Sequence, residues 1–227
     1  TLKDLIKLKP RLIVFEKPLA KSSKEGSEII NLCQSAKIKT IVNFHRRYDP
    51  DHQTFHQSLP KETPQGIIFH YTKGIWNYGS HAIDLIQSWF GPIAQTQTLA
   101  KTSHADPLID AVLTLKNGCS VHFHSHQTNY DLFDFEFFYK GEKFSLLDGG
   151  IRKIRQSSFP GRYHQNYAHL SEPTDITSPA KVFGLREMYE DIAKYCANPS
   201  ISLKGCSGDD ALAGVRIIES LLATGKG

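Results

Sequence analysis

The 227-residue sequence has little of several things that would assign it quickly. Its four cysteines, Cys33, Cys119, Cys196 and Cys206, are widely spaced and form no C-x-x-C pair. They fit reduced thiols in a cytoplasmic protein better than a disulfide framework. No apolar run approaches the roughly 20 residues that span a bilayer, so no membrane partner is expected. The net charge is only +4, and the basic residues are interleaved with acidic ones. That pattern gives no nucleic-acid footprint. No repeat and no low-complexity tract occurs. No G-x-G-x-x-G occurs either, and that glycine turn is what brings a pyrophosphate against a helix N-terminus.

What is present suffices for a folded core: 40% of residues are hydrophobic and 22% charged. The stretch Gly74–Gly91, GIWNYGSHAIDLIQSWFG, predicts a tight turn followed by a short amphipathic helix. Ser80 is the expected N-cap, and Gly91-Pro92 is the stop signal. Ile83, Leu85, Ile86, Trp89 and Phe90 form its apolar stripe. Asn77, His81 and Asp84 lie at its entrance. His81 and Asp84 are three residues apart and so share a helical face, where a carboxylate fixes an imidazole tautomer and raises its basicity. A capped helix with a solvated His–Asp pair has the same spacing.

Before this stretch, the pattern predicts a short helix at 2–9, a strand at 11–15, a helix from Ser22 or Ser23 to about Lys37, and a strand at 40–44. Strand, helix and strand make a βαβ unit with a parallel pair. Such a unit has open edges on both sides, which either residues before Thr1 or residues 46–227 must cover. His45–Pro50 leads into a helix near 51–59, and 66–71 is a strand. Beyond Pro92, six β-rich segments follow, at 93–100, 108–115, 120–126, 133–139, 143–147 and 151–156. Asn117-Gly118 and Lys140-Gly141-Glu142 are turns between them, which predicts an antiparallel meander. Residues 159–179 read as a long surface loop. Helices at 182–197 and 209–222 close the chain. The expected fold is α+β: a large, mostly antiparallel sheet with helices on one face, after a βαβ unit.

Four motifs occur in order: VFEKPLA at 14–20, VNFHRRYDP at 42–50, the 74–91 stretch, and GDDALAGVRIIESLLATGKG at 208–227. Together they resemble the glucose–fructose oxidoreductase / inositol dehydrogenase family of NAD(P)-dependent sugar oxidoreductases. The resemblance matches the later part of such proteins. It implies a division at residue 45: a remnant of the Rossmann domain at 1–45, and a substrate and oligomerisation domain at 46–227. It implies that Lys17, flanked by Glu16 and Pro18, lies near the nicotinamide and the reacting oxygen, with Pro18 in a cis peptide. It implies that His81 exchanges a proton with the sugar hydroxyl. Asn77 stands where the family often has an aspartate, so it can orient a substrate but cannot take a proton. Asp84 is implied as an orienting residue, and Arg47 as structural or at the substrate cleft edge. NAD or NADP is the implied cofactor, given an upstream Rossmann segment. The implied partners are a sugar-like small molecule and further copies of the chain, joined through the open sheet face.

Other candidates are weaker. His122, His124 and His126 alternate on one strand and face one side. Their near-linear spacing suits a polar sheet face or subunit interface better than a tetrahedral metal site. Tyr163, His164, Asn166, Tyr167 and His169 bring aromatic faces and polar tips to the long loop, as a sugar ligand or a solvated loop would use. Phe133, Phe135 and Phe137 read as core or interface. Two function classes follow. One is the C-terminal part of a sugar oxidoreductase, inactive alone. The other is a non-catalytic sugar-binding or oligomerisation module derived from one.

Overall fold

A computed structural model describes residues 1–161, 167–176 and 184–223. The short apolar segments near the start form the expected unit. After helix α1 (Leu2–Lys7), strands β1 (Leu12–Phe15) and β2 (Lys39–Val42) pair in parallel across helix α2 (Ser23–Ser35). The edge of β2 is covered by residues from far down the chain: β12 (Cys206–Ser207) pairs with it antiparallel. Ile30 and Cys33 turn the inner face of α2 onto this three-stranded sheet.

The second sheet is larger. Its strands are β3 (Gly66–Tyr71), β4 (Ile93–Lys101), β5 (Ile109–Leu115), β6 (Ser120–Ser125), β7 (Phe133–Phe138), β8 (Glu142–Leu147), β9 (Arg152–Pro160), β10 (Ala168–Leu170) and β11 (Thr174–Asp175). The order is β10-β9-β8-β7-β3-β6-β5-β4, with β11 also on β9. This corrects the simple meander. β3 is inserted between β6 and β7, parallel to the first and antiparallel to the second, so two meanders flank it. The alternation of residues along each strand fixes which face is buried, but not which strand lies beside it. The long loop expected at 159–179 is also partly strand: β9 runs on to Pro160 and pairs with β10 and β11. Tyr163, His164 and Asn166 lie outside the described residues, as do residues 182 and 183 of the expected helix.

One face of the large sheet is packed with aromatic rings. Phe69, Phe123, Phe135, Phe137 and Phe144 are almost fully buried, and the rings of Phe69 and Phe135 stack at 4.5 Å. Each such side chain contributes about 1.5–3 kcal/mol by burial. Helices α3 (Pro50–Ser58), α4 (Ser80–Phe90) and α6 (Gly208–Ala223) cover this face through Phe55, through Ile83 and Ile86, and through Val215, Ile218 and Leu221. The aromatic triplet at 133, 135 and 137 is therefore core. Helix α5 (Leu185–Ala197) is held elsewhere. Asp191 accepts from the Tyr48 hydroxyl at 2.8 Å, and the carbonyl of Cys196 accepts from Arg11 at 2.6 Å. Just before it, Gly184 has φ +68°, and a Cβ there would meet the His45 carbonyl oxygen at 2.4 Å.

The opposite face of the large sheet carries Ile68, His70, His122, His124 and Glu136, all half-buried. His70 Nδ1 lies 3.0 Å from His126 Nε2. Among the described residues, no group of three or more His, Cys, Asp or Glu side chains has the arrangement of a metal site. No helix among them is long and apolar enough to cross a membrane.

Candidate functional site

The turn that opens the central helix is built differently from the sequence expectation. Residues Ile75–Gly79 form a π-helical turn that runs directly into α4. Ser80 does not cap it. Its hydroxyl donates back to the carbonyls of Trp76 (2.7 Å) and Asn77 (2.8 Å). The free amides are met instead by Asp106, from the loop between β4 and β5. Its carboxylate accepts from Trp76 N at 2.8 Å and from Asn77 N at 3.2 Å. Gly74 makes the approach possible, since a Cβ there would stand 2.1 Å from Asp106 Cγ. Asp106 lies about thirty residues from the turn, and no local pattern marks it.

The β1–α2 loop brings the other half of the site. The Lys17–Pro18 peptide is cis, and Lys17 Nζ donates to Asn77 Oδ1 at 2.8 Å. His81, four residues on from Asn77, is 5% exposed. Its ring lies edge-on to Phe44 and to His45, with centroids 5.4 Å away in each case. Lys17 thus meets Asn77 across sixty residues, one helical turn before His81. Glu16 points to Asn43, whose amide donates to it at 2.9 Å. Burial, reinforced by the charges of Lys17 and Arg46, holds the His81 imidazole well below its ordinary pKa, so it is neutral at pH 7. Burial and Arg46 likewise lower the Lys17 ammonium, against weaker opposition from Asp106 and Glu16.

Asp84 does not orient His81, and this corrects the expected pair. Its carboxylate is taken by Arg47, which donates from Nε to both oxygens at 3.0 Å and from Nη2 to Oδ1 at 2.7 Å. Arg47 Nη1 also stands 3.4 Å from Asp210 on α6. A two-pronged guanidinium–carboxylate pair is stronger than any bond a neutral imidazole offers, and the geometry follows it. Arg47 is thereby committed to holding α4 and α6 together rather than to the cleft edge. His81 Nδ1 is left buried and, among the described residues, without a hydrogen-bond partner.

The sequence reading passed over Arg46. Its guanidinium lies over the Phe133 ring at 4.0 Å, and Nη1 donates to the Gly149 carbonyl at 2.8 Å. Its Nε is buried without a partner among the described residues. His45 shares its turn, and His52 of α3 brings its Nε2 to 3.5 Å from Nη1. Asp49 caps α3 through Asp51 N and His52 N, and its second oxygen lies 3.3 Å from His52 Nδ1. The RRYD run carried the signal for a cationic turn, but nothing in it tells which arginine finds a carboxylate.

The N-terminus of α2 bears on anion binding. Ser22 Oγ accepts from Glu25 N at 3.2 Å, and Glu219 of α6 accepts from Ser23 N at 2.8 Å. A carboxylate already occupies this helix end.

No protein-family model matches the chain, and no curated protein sequence matches it. Solved structures do. An NADPH-dependent oxidoreductase described as putative, from Desulfitobacterium hafniense, aligns over 99% of this chain and 73% of its own, with TM-score 0.83 at 12% identity. The UDP-N-acetylglucosamine 3-dehydrogenase of Acidithiobacillus ferrooxidans aligns over 98% and 72%, with TM-score 0.74 at 14% identity. The super-repressor mutant of Gal80p from Saccharomyces cerevisiae aligns over 98% and 73%, with TM-score 0.76 at 13% identity. The chain has the fold that these proteins share, the one that the four sequence motifs imply.

Proposed function

We propose that the chain is the substrate-side part of a nicotinamide-dependent oxidoreductase of the glucose–fructose oxidoreductase / inositol dehydrogenase type, acting on a hydroxyl or ketone of a sugar derivative. What supports this reading is the hydrogen bond of Lys17 to Asn77, one helical turn before the buried His81. Residues 1–45 are assigned to the dinucleotide-binding side, and residues 46–227 to the substrate and oligomerisation side, with β12 tying the second to the first.

Lys17 would donate a hydrogen bond to the substrate oxygen and stabilise charge on it. The neutral imidazole of His81 would take the hydroxyl proton in oxidation and return it in reduction. Asn77 would orient the ligand through its amide. Arg47 and Asp84 would keep α4 and the turn before it in place. A bound nicotinamide supplies the hydride acceptor or donor. The described residues fit only its reactive end, near Glu16, Lys17 and Pro18. They do not fit its pyrophosphate, because Ser22 and Glu219 already take the α2 amides and no glycine turn is present. The 227 residues are therefore expected to turn over no substrate by themselves. The open face with His70, His122 and His124 would join copies of the chain, in a cytoplasmic oligomer.

A second reading is favoured by the same closed helix end: a sugar-binding or oligomerisation module with no catalysis of its own. Calorimetric titration with NAD, NADH, NADP and NADPH, beside NMR titration with D-glucose and myo-inositol, tests both. Sugar binding that perturbs the His81 ring, without saturable dinucleotide binding, is the expected result. Micromolar dinucleotide binding, worth about 8 kcal/mol, would overturn the half-site reading. Failure of every sugar to bind would overturn the substrate reading.

A further inference from the structure

We propose that the ligand of this site carries an oxyanion, a carboxylate or phosphoryl group on a sugar-sized body, and that Lys17 and Arg46 bind it. This rests on the sugar-site reading above and names the chemistry of that site.

The argument is one of charge left uncompensated. Buried or half-buried cations in folded proteins are normally paired. Arg47 is paired, through Asp84 and Asp210. Arg46 and Lys17 are not: among the described residues, neither forms a salt bridge. The three carboxylates near them are committed elsewhere. Asp106 holds the Trp76 and Asn77 amides. Glu16 takes the Asn43 amide. Asp49 caps α3 and faces His52. The residue directly on Lys17 is Asn77, which satisfies the ammonium but leaves its charge unneutralised.

Arg46 is also held ready. Phe133 supports the plane of the guanidinium, and the Gly149 carbonyl fixes Nη1. Nη2 donates to nothing among the described residues, and Nε is unpartnered. A guanidinium stacked and anchored in this way loses little freedom on binding a planar oxyanion. The three imidazoles around it, His45, His52 and His81, are all held below their ordinary pKa, by burial first, with the charge of Arg46 adding to it. An anion placed between Lys17 and Arg46 would remove that cationic pressure. It would raise the basicity of His81 just when the substrate needs a proton acceptor. The site would then be completed, electrostatically, by its own ligand.

The test compares D-glucuronate, D-glucose 6-phosphate and neutral D-glucose by NMR titration of the full chain at low ionic strength. At least one anionic sugar should bind about tenfold or more tightly than glucose, and added salt should erode the margin. The tighter of the two identifies the anion as carboxylate or phosphoryl. The Arg46→Gln variant should bring the anionic and neutral sugars within about twofold of each other, and Arg46→Lys should restore part of the gap. The His81 titration midpoint should rise when the anionic sugar binds. Lys17→Gln, at a half-exposed side chain with a single hydrogen bond, gives the same reading should Arg46→Gln fold poorly. Equal binding of glucose and both anions would overturn this inference and leave the sugar site standing. A preference that survives both Arg46→Gln and Lys17→Gln would overturn it too. Failure of all three sugars to bind would remove the sugar site and this inference together.

Discussion

The two sides of the His45–Arg47 turn, a single 3-10 turn, face different worlds. On one side, Arg47 is 14% exposed and locked to a carboxylate that is 5% exposed. That bond joins α4 to the turn after β2, and through Asp210 to α6. On the other side, the neighbouring Arg46 leans on an aromatic ring and a carbonyl, beside an ammonium and three imidazoles. The first arrangement is complete without a ligand; the second is not. Adjacent residues of identical chemistry thus take a structural and a recognition role, and the difference lies in which of them the fold supplies with a carboxylate.

The sharpest way to break the contrast is to remove that carboxylate. Asp84→Ala strips a largely buried guanidinium of its two-pronged partner and leaves it only the longer contact to Asp210, and the expected loss is about 3 kcal/mol in denaturant unfolding. The second effect is one of acidity. His45, His52 and His81 are all held below their ordinary pKa, with burial as the leading cause. In the unfolded chain each binds its proton near the ordinary value of 6.5. Below that value the unfolded state therefore holds more protons than the folded one. Stability should be fully present above pH 6.5 and should fall as the pH drops from there toward the depressed folded values. Melting temperatures between about pH 7.5 and about pH 5.5 check this, before most carboxylates titrate. The smallest effect sharpens the contrast from the recognition side. Asn77→Asp would place a carboxylate beside Lys17 at an exposed position, changing stability by less than about 1 kcal/mol. The same variant should weaken the preference for an anionic sugar, measured by the same titration.

Much of this was legible in the residues. Strand alternation over 109–147 gave the buried faces, and Asn117-Gly118 marks the β5–β6 turn. The family motifs named Lys17 and Asn77, which the structure joins by a hydrogen bond. What stayed hidden was set by contacts between distant segments. The insertion of β3 beside β6 depends on pairing across more than fifty residues. The pairing of β2 with β12 spans far more, and a two-residue strand has no periodicity to read. Asp84 looked like a partner for His81 because three residues separate them. Arg47, thirty-seven residues away, offers a charged fork instead. Asp106 and Arg46 escaped for the same reason: their partners lie on other elements, and neither Asp nor Arg advertises its role by spacing.

Helix α6 has a consequence for what variation the chain can tolerate. Its first turns, through Ala211 and Leu212, belong to the core around β2 and α2; its later turns, through Val215, Ile218 and Leu221, belong to the core of the large sheet. One rod therefore meshes with two sets of teeth, and the phase between them is fixed by residue count. A single insertion near Gly214, which lies against Ile83, would rotate the later teeth by about 100° relative to the earlier ones. Four added residues would nearly restore the phase but displace it by about 6 Å along the axis. The length of this helix is thus as constrained as its composition, and related chains that keep both sheets should vary in its loops rather than in its register.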